Sequence, residues 1–264
     1  MTPSPGAELS DTPRSGELPG RHGEPFFLVD ALPPAGSFVL DGPEGRHAAT
    51  VRRLRAGESV VLTDGAGRLG PATVVAAGRA ELTLQVGPAV RVDPPAVRVT
   101  LVQALPKGER AELAVELATE AGVDEIVPWA AQRCVARWRA PEQVDKGVRR
   151  WRGTAREAAK QARRPFVPVV RDLATTAQVA EVAAGATTLV LHESSITPLA
   201  AAELPAAGDV VLIVGPEGGL TEEELTVFGS TGATVVRLGP QVLRTSTAAA
   251  VALGALGVLT GRWT

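Results

Sequence analysis

VVLIVGPEGGLTEEEL, residues 210–225, carries the reading on which the rest of the chain depends. Val210 to Val214 is an uninterrupted apolar run bounded by Asp209 and Gly215, the pattern of a strand buried on both faces. A glycine-rich turn follows. Thr221 then opens a helix with Glu224 three residues on, so that the hydroxyl takes a first-turn amide while the glutamate reaches back, a capping box. In open α/β sheets ligands sit at such strand–loop–helix junctions, because glycines let the backbone come close and helical amides point outward. A phosphate ligand is disfavoured here. Glu217, Glu222, Glu223 and Glu224 surround the loop with carboxylate, and no lysine follows the glycines as a P-loop requires. A neutral or cationic ligand fits this charge; a tight turn before a well-capped acidic helix is the alternative that needs no ligand.

A second junction lies downstream. Residues 234–238, TVVRL, form a short apolar strand, followed by Gly239-Pro240 and by Arg244, Thr245, Ser246 and Thr247 at the head of an alanine-rich helix. A third strand, TTLVLHE, brings Leu191, His192 and Glu193 to another carboxyl end. GPEGG followed about twenty residues later by LGPQVLRT resembles the bacterial 16S ribosomal RNA uridine N3-methyltransferase family, of the SPOUT class of knotted methyltransferases. Gln103, Pro106-Lys107-Gly108, the run 118–122, the run 157–161 with Arg163, and His47 with Val51 and Arg52 carry the resemblance further, over residues 25–264.

The resemblance implies an α/β fold in two parts. A PUA-like β-barrel that binds RNA precedes a C-terminal SPOUT-type domain, whose mainly parallel sheet and helices are tied in a trefoil knot. It implies bent S-adenosylmethionine held by the knot loops, here Leu191, His192, Glu193, Gly215, Pro216, Glu217, Gly218, Gly219, Leu238, Gly239, Leu243 and Thr245. It also implies a homodimer with the site near the interface, acting on 16S rRNA of the small subunit. One departure stands out: the family's Thr-Glu-Thr after the arginine is Thr245-Ser246-Thr247 here, which removes a carboxylate.

The remaining chain accommodates this plan. Residues 1–23 are rich in Pro, Gly, Ser and acid, without the apolar segment of a secretory signal, and read as a disordered extension. From 24 to 92, short β-type runs alternate with turns, with a hairpin signal at Asp64-Gly65, as in a small barrel. HAATVRRLR, residues 47–55, reads as a cationic helical piece carrying Arg52, Arg53 and Arg55 that Gly57 stops. Residues 93–96, around Asp93-Pro94-Pro95, form the linker. Strands and helices then alternate from 97 to 264, a strand at 97–105 and a helix at 109–121 among them, which argues for an open, mainly parallel sheet.

Cys134 is the only cysteine, so no disulfide framework or cysteine metal cluster is possible, as expected of a reducing cytoplasm. His22, His47 and His192 are far apart, and no metal is expected. The longest uncharged stretch, Thr245 to Gly261, is interrupted by Gly254, Gly257 and Gly261 and too short to span a membrane. The formal net charge is -2, yet between Arg133 and Arg171 twelve Lys and Arg face three acids. That local excess is the footprint of a phosphate backbone, and a soluble basic surface is its plain alternative.

Charge and resemblance together assign RNA contact to His47, Arg52, Arg53, Lys107, Arg133, Arg152, Gln161, Arg163 and Arg164, the last three toward the end of a helix around 152–164. Trp138 and Trp151 lie in this stretch as candidates for base stacking or for the core. Glu157 is either an intrahelical partner of nearby arginines or a substrate-placing group.

A sulfonium methyl is already electrophilic, so the protein chiefly aligns donor and acceptor, removes the uracil N3 proton and stabilises charge on O2 and O4. Arg244 is the candidate for that stabilisation, with Thr245 beside it. Glu217 is either the proton acceptor, a loop-orienting group or a counter-charge to the sulfonium. N3 lies on the pairing edge, so the target base is unpaired or extruded. Competing classes are a non-catalytic, ribosome-associated RNA-binding protein, a nucleotide-binding enzyme, and a sibling enzyme that methylates another RNA nucleotide.

Overall fold

The computed structural model describes residues 18–20, 23–108 and 110–263. The expected extension at 1–23 lies outside the described residues except for 18–20 and 23, as do His22 and Glu109. The chain divides into two compact units at Val92/Asp93.

The first unit comprises β1 (Phe26–Leu28), β2 (Gly36–Leu40), α1 (Gly42–Arg46), a π-helical turn (His47–Val51), β3 (Ser59–Thr63), β4 (Arg68–Ala77), β5 (Leu82–Val86) and β6 (Val90–Arg91). The sheet runs β1-β3-β4-β5-β2, with β6 beside β4. β1 and β3 pair in parallel and the other pairs are antiparallel. The apolar alternation of β5 puts Leu82, Leu84 and Val86 into a core with Phe27, Leu40, Val60, Leu62 and Val74.

The helical piece differs from the expectation. Helix begins at Gly42 and ends at Val51. Arg53 takes the left-handed conformation (φ 54°), and the Leu54 amide donates back to Ala48 O at 3.1 Å. Buried Leu54 anchors this reversal, so Arg52, Arg53 and Arg55 ride on the exit from the helix rather than on its face.

The second unit comprises β7 (Val97–Ala104), α2 (Arg110–Glu120), β8 (Glu125–Trp129), α3 (Pro141–Gln161), β9 (Val169–Val170), α4 (Thr176–Ala183), β10 (Thr187–Leu191), a 3-10 turn (Leu199–Ala201), β11 (Gly208–Val214), α5 (Glu222–Ser230), β12 (Thr234–Val236) and α6 (Thr245–Leu259). The strand order is β12-β10-β11-β7-β8-β9, and every pairing is parallel. β8, the middle of β10 and the carboxyl-terminal parts of β7 and β11 are buried on both faces, as a sheet covered by helices requires.

The basic helix is longer than expected at its start and ends before its last arginines. Pro141 occupies the first turn of α3, where a missing amide costs nothing. At the other end Arg163 is left-handed (φ 52°), the Arg164 amide donates to Ala159 O at 2.8 Å, and Pro165 bars continuation. Arg163 and Arg164 therefore lie off the helix. Trp151 is fully buried and meets half-buried Trp138 edge to face, with ring centroids 5.6 Å apart, so this pair belongs to the core and not to a base-stacking surface. Glu157 pairs with Lys160 at 2.9 Å on its own helix rather than with an arginine.

Below the sheet, at the amino ends of β7 and β8, Asp124 gathers three segments. It accepts the Val99 amide at 2.7 Å and the Arg262 guanidinium at 2.7 Å, while Arg164 lies 4.0 Å away. Arg262 also donates to Gly122 O and Val97 O, and Arg164 to Thr119 O. Burial pushes the Arg164 guanidinium down to about 10, with Asp124 opposing the shift. Next to this cluster, Trp263 lies against Gly257 so closely that a Cβ there would sit 2.6 Å from the indole ring. Part of the small-residue character of α6 has that local cause.

Candidate active site

The strand order makes the site. β12, β10 and β11 are neighbours and all point the same way, so the loops leaving their carboxyl ends lie side by side. Between these loops is a cleft of about 320 Å³, near the lower end of the range for small-molecule sites. Leu191, His192 and Glu193 line it from β10, Val214 to Glu217, Gly219 and Leu220 from β11, and Arg237 to Gly239 with Gln241 to Thr245 and Ala248 from the segment after β12.

The glycine loop is fastened from outside the cleft. Thr221 caps α5: its hydroxyl accepts the Glu224 amide at 3.2 Å and Glu224 accepts the Thr221 amide at 2.9 Å, as the capping box requires. Glu224 is fully buried, and its other oxygen accepts the Gln132 amide at 2.8 Å. Arg133 completes the clamp by donating to Gly218 O at 3.3 Å and Leu220 O at 3.1 Å. The segment after β8 thus grips the loop after β11 across the intervening strand β7. Gly218 faces that clamp: a Cβ would stand 3.0 Å from Arg133 Cβ and 3.1 Å from its carbonyl oxygen. Gly219, left-handed at φ 73°, makes the turn back toward the cleft. Cys134 sits buried behind the loop, and burial pushes its thiol up.

Glu217 is exposed and lines the cleft, and one of its oxygens accepts the Lys107 amide at 3.2 Å. That bond joins the loop after β7 to the glycine loop. Glu223, at the head of α5, is held below the usual carboxylate range by backbone and Thr221 hydrogen bonds. His192 Nδ1 meets the Ser194 amide at 3.3 Å and the Ser194 hydroxyl at 2.8 Å, which fixes the ring at the cleft wall. Arg244 is the N-cap of α6, exposed and lining the cleft, with no hydrogen-bond or ion-pair partner for its guanidinium among the described residues. Thr245 is buried at the first turn, where helix geometry leaves amides without intrahelical partners. Ser246 is 2% exposed and does not line the cleft.

Of the residues assigned to the cofactor from sequence, all but Gly218 line the cleft. Sequence reasoning missed Val214, Leu220, Arg237, Gln241, Val242 and Ala248, which complete it. Val214 and Leu220 flank the glycine motif and needed only its boundaries widened; Arg237 and Ala248 carried no signal without the fold. The residues assigned to RNA are scattered. Arg52, Arg53, Lys107, Gln161 and Arg163 have exposed side chains, His47 is half-buried with its ring 6.3 Å from that of Phe27, and Arg152 is tied to Asp172 and Val170 O. Arg133 serves the loop clamp and Arg164 the Asp124 cluster.

The cleft has the chemistry S-adenosylmethionine requires. Val214, Leu220 and Ala248 give an apolar wall, Gly215 and Gly219 expose backbone, and Glu193 and Glu217 set carboxylates against positive charge. A Cβ on Gly215 would meet Leu220 Cδ2 at 2.9 Å, so the side chain that walls the cleft needs glycine beside it. Among the described residues no group of His, Cys, Asp and Glu is placed to hold a metal ion, and no helix is long and apolar enough to cross a membrane.

Comparison with known proteins agrees in both units. Residues 93–257 match the model of an RNA methyltransferase domain and residues 40–87 that of an RNA methyltransferase PUA domain. The chain is 54% identical over 247 residues to ribosomal RNA small subunit methyltransferase E of Mycobacterium bovis, spanning 90% of this chain and 93% of the relative. The Bacillus subtilis protein of that name is 28% identical, over 86% and 91% of the two chains. Among solved structures, the methyltransferase E of Neisseria gonorrhoeae bound to S-adenosylmethionine superposes with a TM-score of 0.79 at 26% identity, covering 89% of this chain and 98% of that one. A Legionella pneumophila methyltransferase in complex with the same cofactor gives 0.76 at 27%, over 89% and 96%.

Proposed function

The chain belongs to the RNA methyltransferase family that includes ribosomal RNA small subunit methyltransferase E, and from that premise we propose that it methylates N3 of a uridine in 16S rRNA. It is an S-adenosylmethionine-dependent rRNA methyltransferase. The observation that carries the finer reading is Arg244: it is the N-cap residue of α6 on the wall of the cleft, and its guanidinium has no protein partner among the described residues.

Bound S-adenosylmethionine supplies a methyl group on a sulfonium that needs no further activation. The protein's part is to hold, orient and neutralise. Leu191, Val214, Leu220, Leu238, Leu243 and Ala248 would hold the apolar part of the cofactor, and the backbone of Gly215, Gly219 and Gly239 would let it come close. Arg244 stabilises the negative charge that spreads onto O2 and O4 as N3 loses its proton; one such preorganised donor is worth about 10²–10³ in rate. Thr245, at the head of α6, adds a hydrogen bond. Glu217 takes the proton on the oxygen that the Lys107 amide leaves free. The missing carboxylate at Ser246 is no obstacle to this assignment, since that side chain is buried outside the cleft.

The finer architecture belongs to the same reading. β12 lies at the sheet edge, yet α6, which follows it, packs on α2 and on the central strands β7 and β11. The segment 237–244 must therefore return across the carboxyl ends of β10 and β11, which supports a trefoil knot. We read the first unit as a PUA-like barrel contacting rRNA, residues 93–96 as the linker, and the cytoplasmic protein as a homodimer.

Calorimetry with S-adenosylmethionine and S-adenosylhomocysteine tests the cofactor site, with Ala248→Leu as the variant that fills the cleft. A side chain at Gly218 would strike Arg133 rather than enter the cleft, so a substitution there would test the loop clamp and not the cofactor site. Small-subunit rRNA lacking the modification is then methylated and reverse-transcribed. A methyl on N3 blocks pairing and stops the polymerase at one uridine; a methylated product without a stop places the group on another atom and sinks the N3 assignment.

A further inference from the structure

Arg237 is a cationic cleft residue to which the reading of cofactor and base gives no work. It follows β12 with its backbone pinned on both sides: its amide donates to Thr197 O at 2.8 Å and its carbonyl accepts the Leu199 amide at 2.9 Å. Arg237 lines the cleft and is exposed, and its guanidinium has no hydrogen-bond or ion-pair partner among the described residues. A planar cation on a fixed backbone at the edge of a ligand cleft is preorganised for a bidentate oxyanion.

Two oxyanions are available, the carboxylate of the cofactor's methionine end and a phosphate of the RNA. The position favours the second. Arg237 follows the edge strand and is exposed, whereas the buried groups of the cleft wall, Val214, Leu220, Thr245 and Ala248, belong to β11, the glycine loop after it and α6. An exposed ion pair with a single carboxylate gains little in water, whereas a phosphate contact gains from counterion release. A base placed with N3 in the cleft also brings its own backbone to the rim, because base and phosphate are joined through one ribose.

We propose that Arg237 binds the backbone phosphate of the target nucleotide or its immediate neighbour, and so positions the extruded base for methylation. This rests on the methyl-transfer reading above. It assigns the two partnerless cations of the cleft different work, Arg237 on the phosphate and Arg244 on the base.

The test is direct binding of small-subunit rRNA lacking the modification, in the presence of S-adenosylhomocysteine and over a series of salt concentrations, for wild type, Arg237→Ala and Arg237→Lys. Melting temperature and calorimetric S-adenosylhomocysteine affinity are measured alongside. Arg237→Ala is expected to weaken RNA binding about tenfold and to reduce the slope of log affinity against log salt by about 0.7, the loss of one single-strand phosphate contact. Arg237→Lys keeps the slope and recovers part of the affinity, because the charge survives and the fork does not. In turnover the RNA KM rises while kcat holds, and cofactor affinity and melting temperature stay at wild-type values. An unchanged salt slope in Arg237→Ala overturns the proposal while leaving methyl transfer intact. Weakened S-adenosylhomocysteine binding with unchanged RNA affinity reassigns Arg237 to the cofactor carboxylate and also overturns it. Failure of the wild type to bind cofactor or methylate rRNA overturns the underlying reading instead.

Discussion

Arg244 and Glu217 share a cleft and differ in what holds them. Arg244 has no partner among the described residues, so Arg244→Ala is expected to lower kcat by about 10²–10³ while calorimetric cofactor affinity stays within about twofold. Glu217 has an amide on one oxygen, so Glu217→Gln keeps that bond and loses only the proton acceptor. The single-turnover rate of that variant, with cofactor and RNA saturating, is the informative measurement: a fall of about 10²-fold or more supports the assignment, and an unchanged rate removes it. Glu224 looks similar in sequence, one of four glutamates around the loop, yet it is buried and accepts two backbone amides. Glu224→Ala leaves the Gln132 and Thr221 amides without their acceptor, a cost of about 1–3 kcal/mol for each buried group. A denaturant titration should show it, together with weaker cofactor binding through the loosened loop. Cys134 should resist alkylation until the protein unfolds, because burial keeps its thiol protonated.

At the scale of elements, the periodic signals that announced strands and helices were sound where the element was buried on a regular face. β10, β11 and α5 follow that pattern, and the capping box at Thr221 and Glu224 marks the start of α5 at the expected residue. The misplaced boundaries were set by contacts the local pattern does not hold. Arg53 and Arg163 turn left-handed although neither is glycine, in one case because Leu54 is drawn into the core and in the other because Pro165 forbids another turn. Arginines that looked like parts of helical faces therefore sit on loops. In α6, Gly257 looked like part of a uniformly small surface, whereas its particular neighbour is Trp263. Gly257→Val is expected to destabilise by about 1–3 kcal/mol through overpacking, and Trp263→Ala in the same chain should relieve part of that loss in a double-mutant cycle.

Across the whole second unit, Asp124 joins the start of β7, the segment after α3 and the C-terminal residues through Val99, Arg164 and Arg262. Asp124→Asn leaves two arginines largely buried without their carboxylate, a loss of about 3–5 kcal/mol for a broken buried pair, and chemical denaturation is the measurement. Sequence by itself determined the alternation of strands and helices, the glycine loop with its capped helix, the basic stretch and, through the paired GPEGG and LGPQVLRT motifs, the family; these are signals carried by residues close together in the chain. Only the tertiary structure decided that β12, β10 and β11 are neighbours, that Gly218 turns from the cleft to Arg133, that Trp151 is core, and that Arg237 joins Arg244 at the same cleft. Strand order, side-chain direction and partner choice arise from packing between segments far apart in the sequence, and local pattern holds no record of which distant segment will fill a given face.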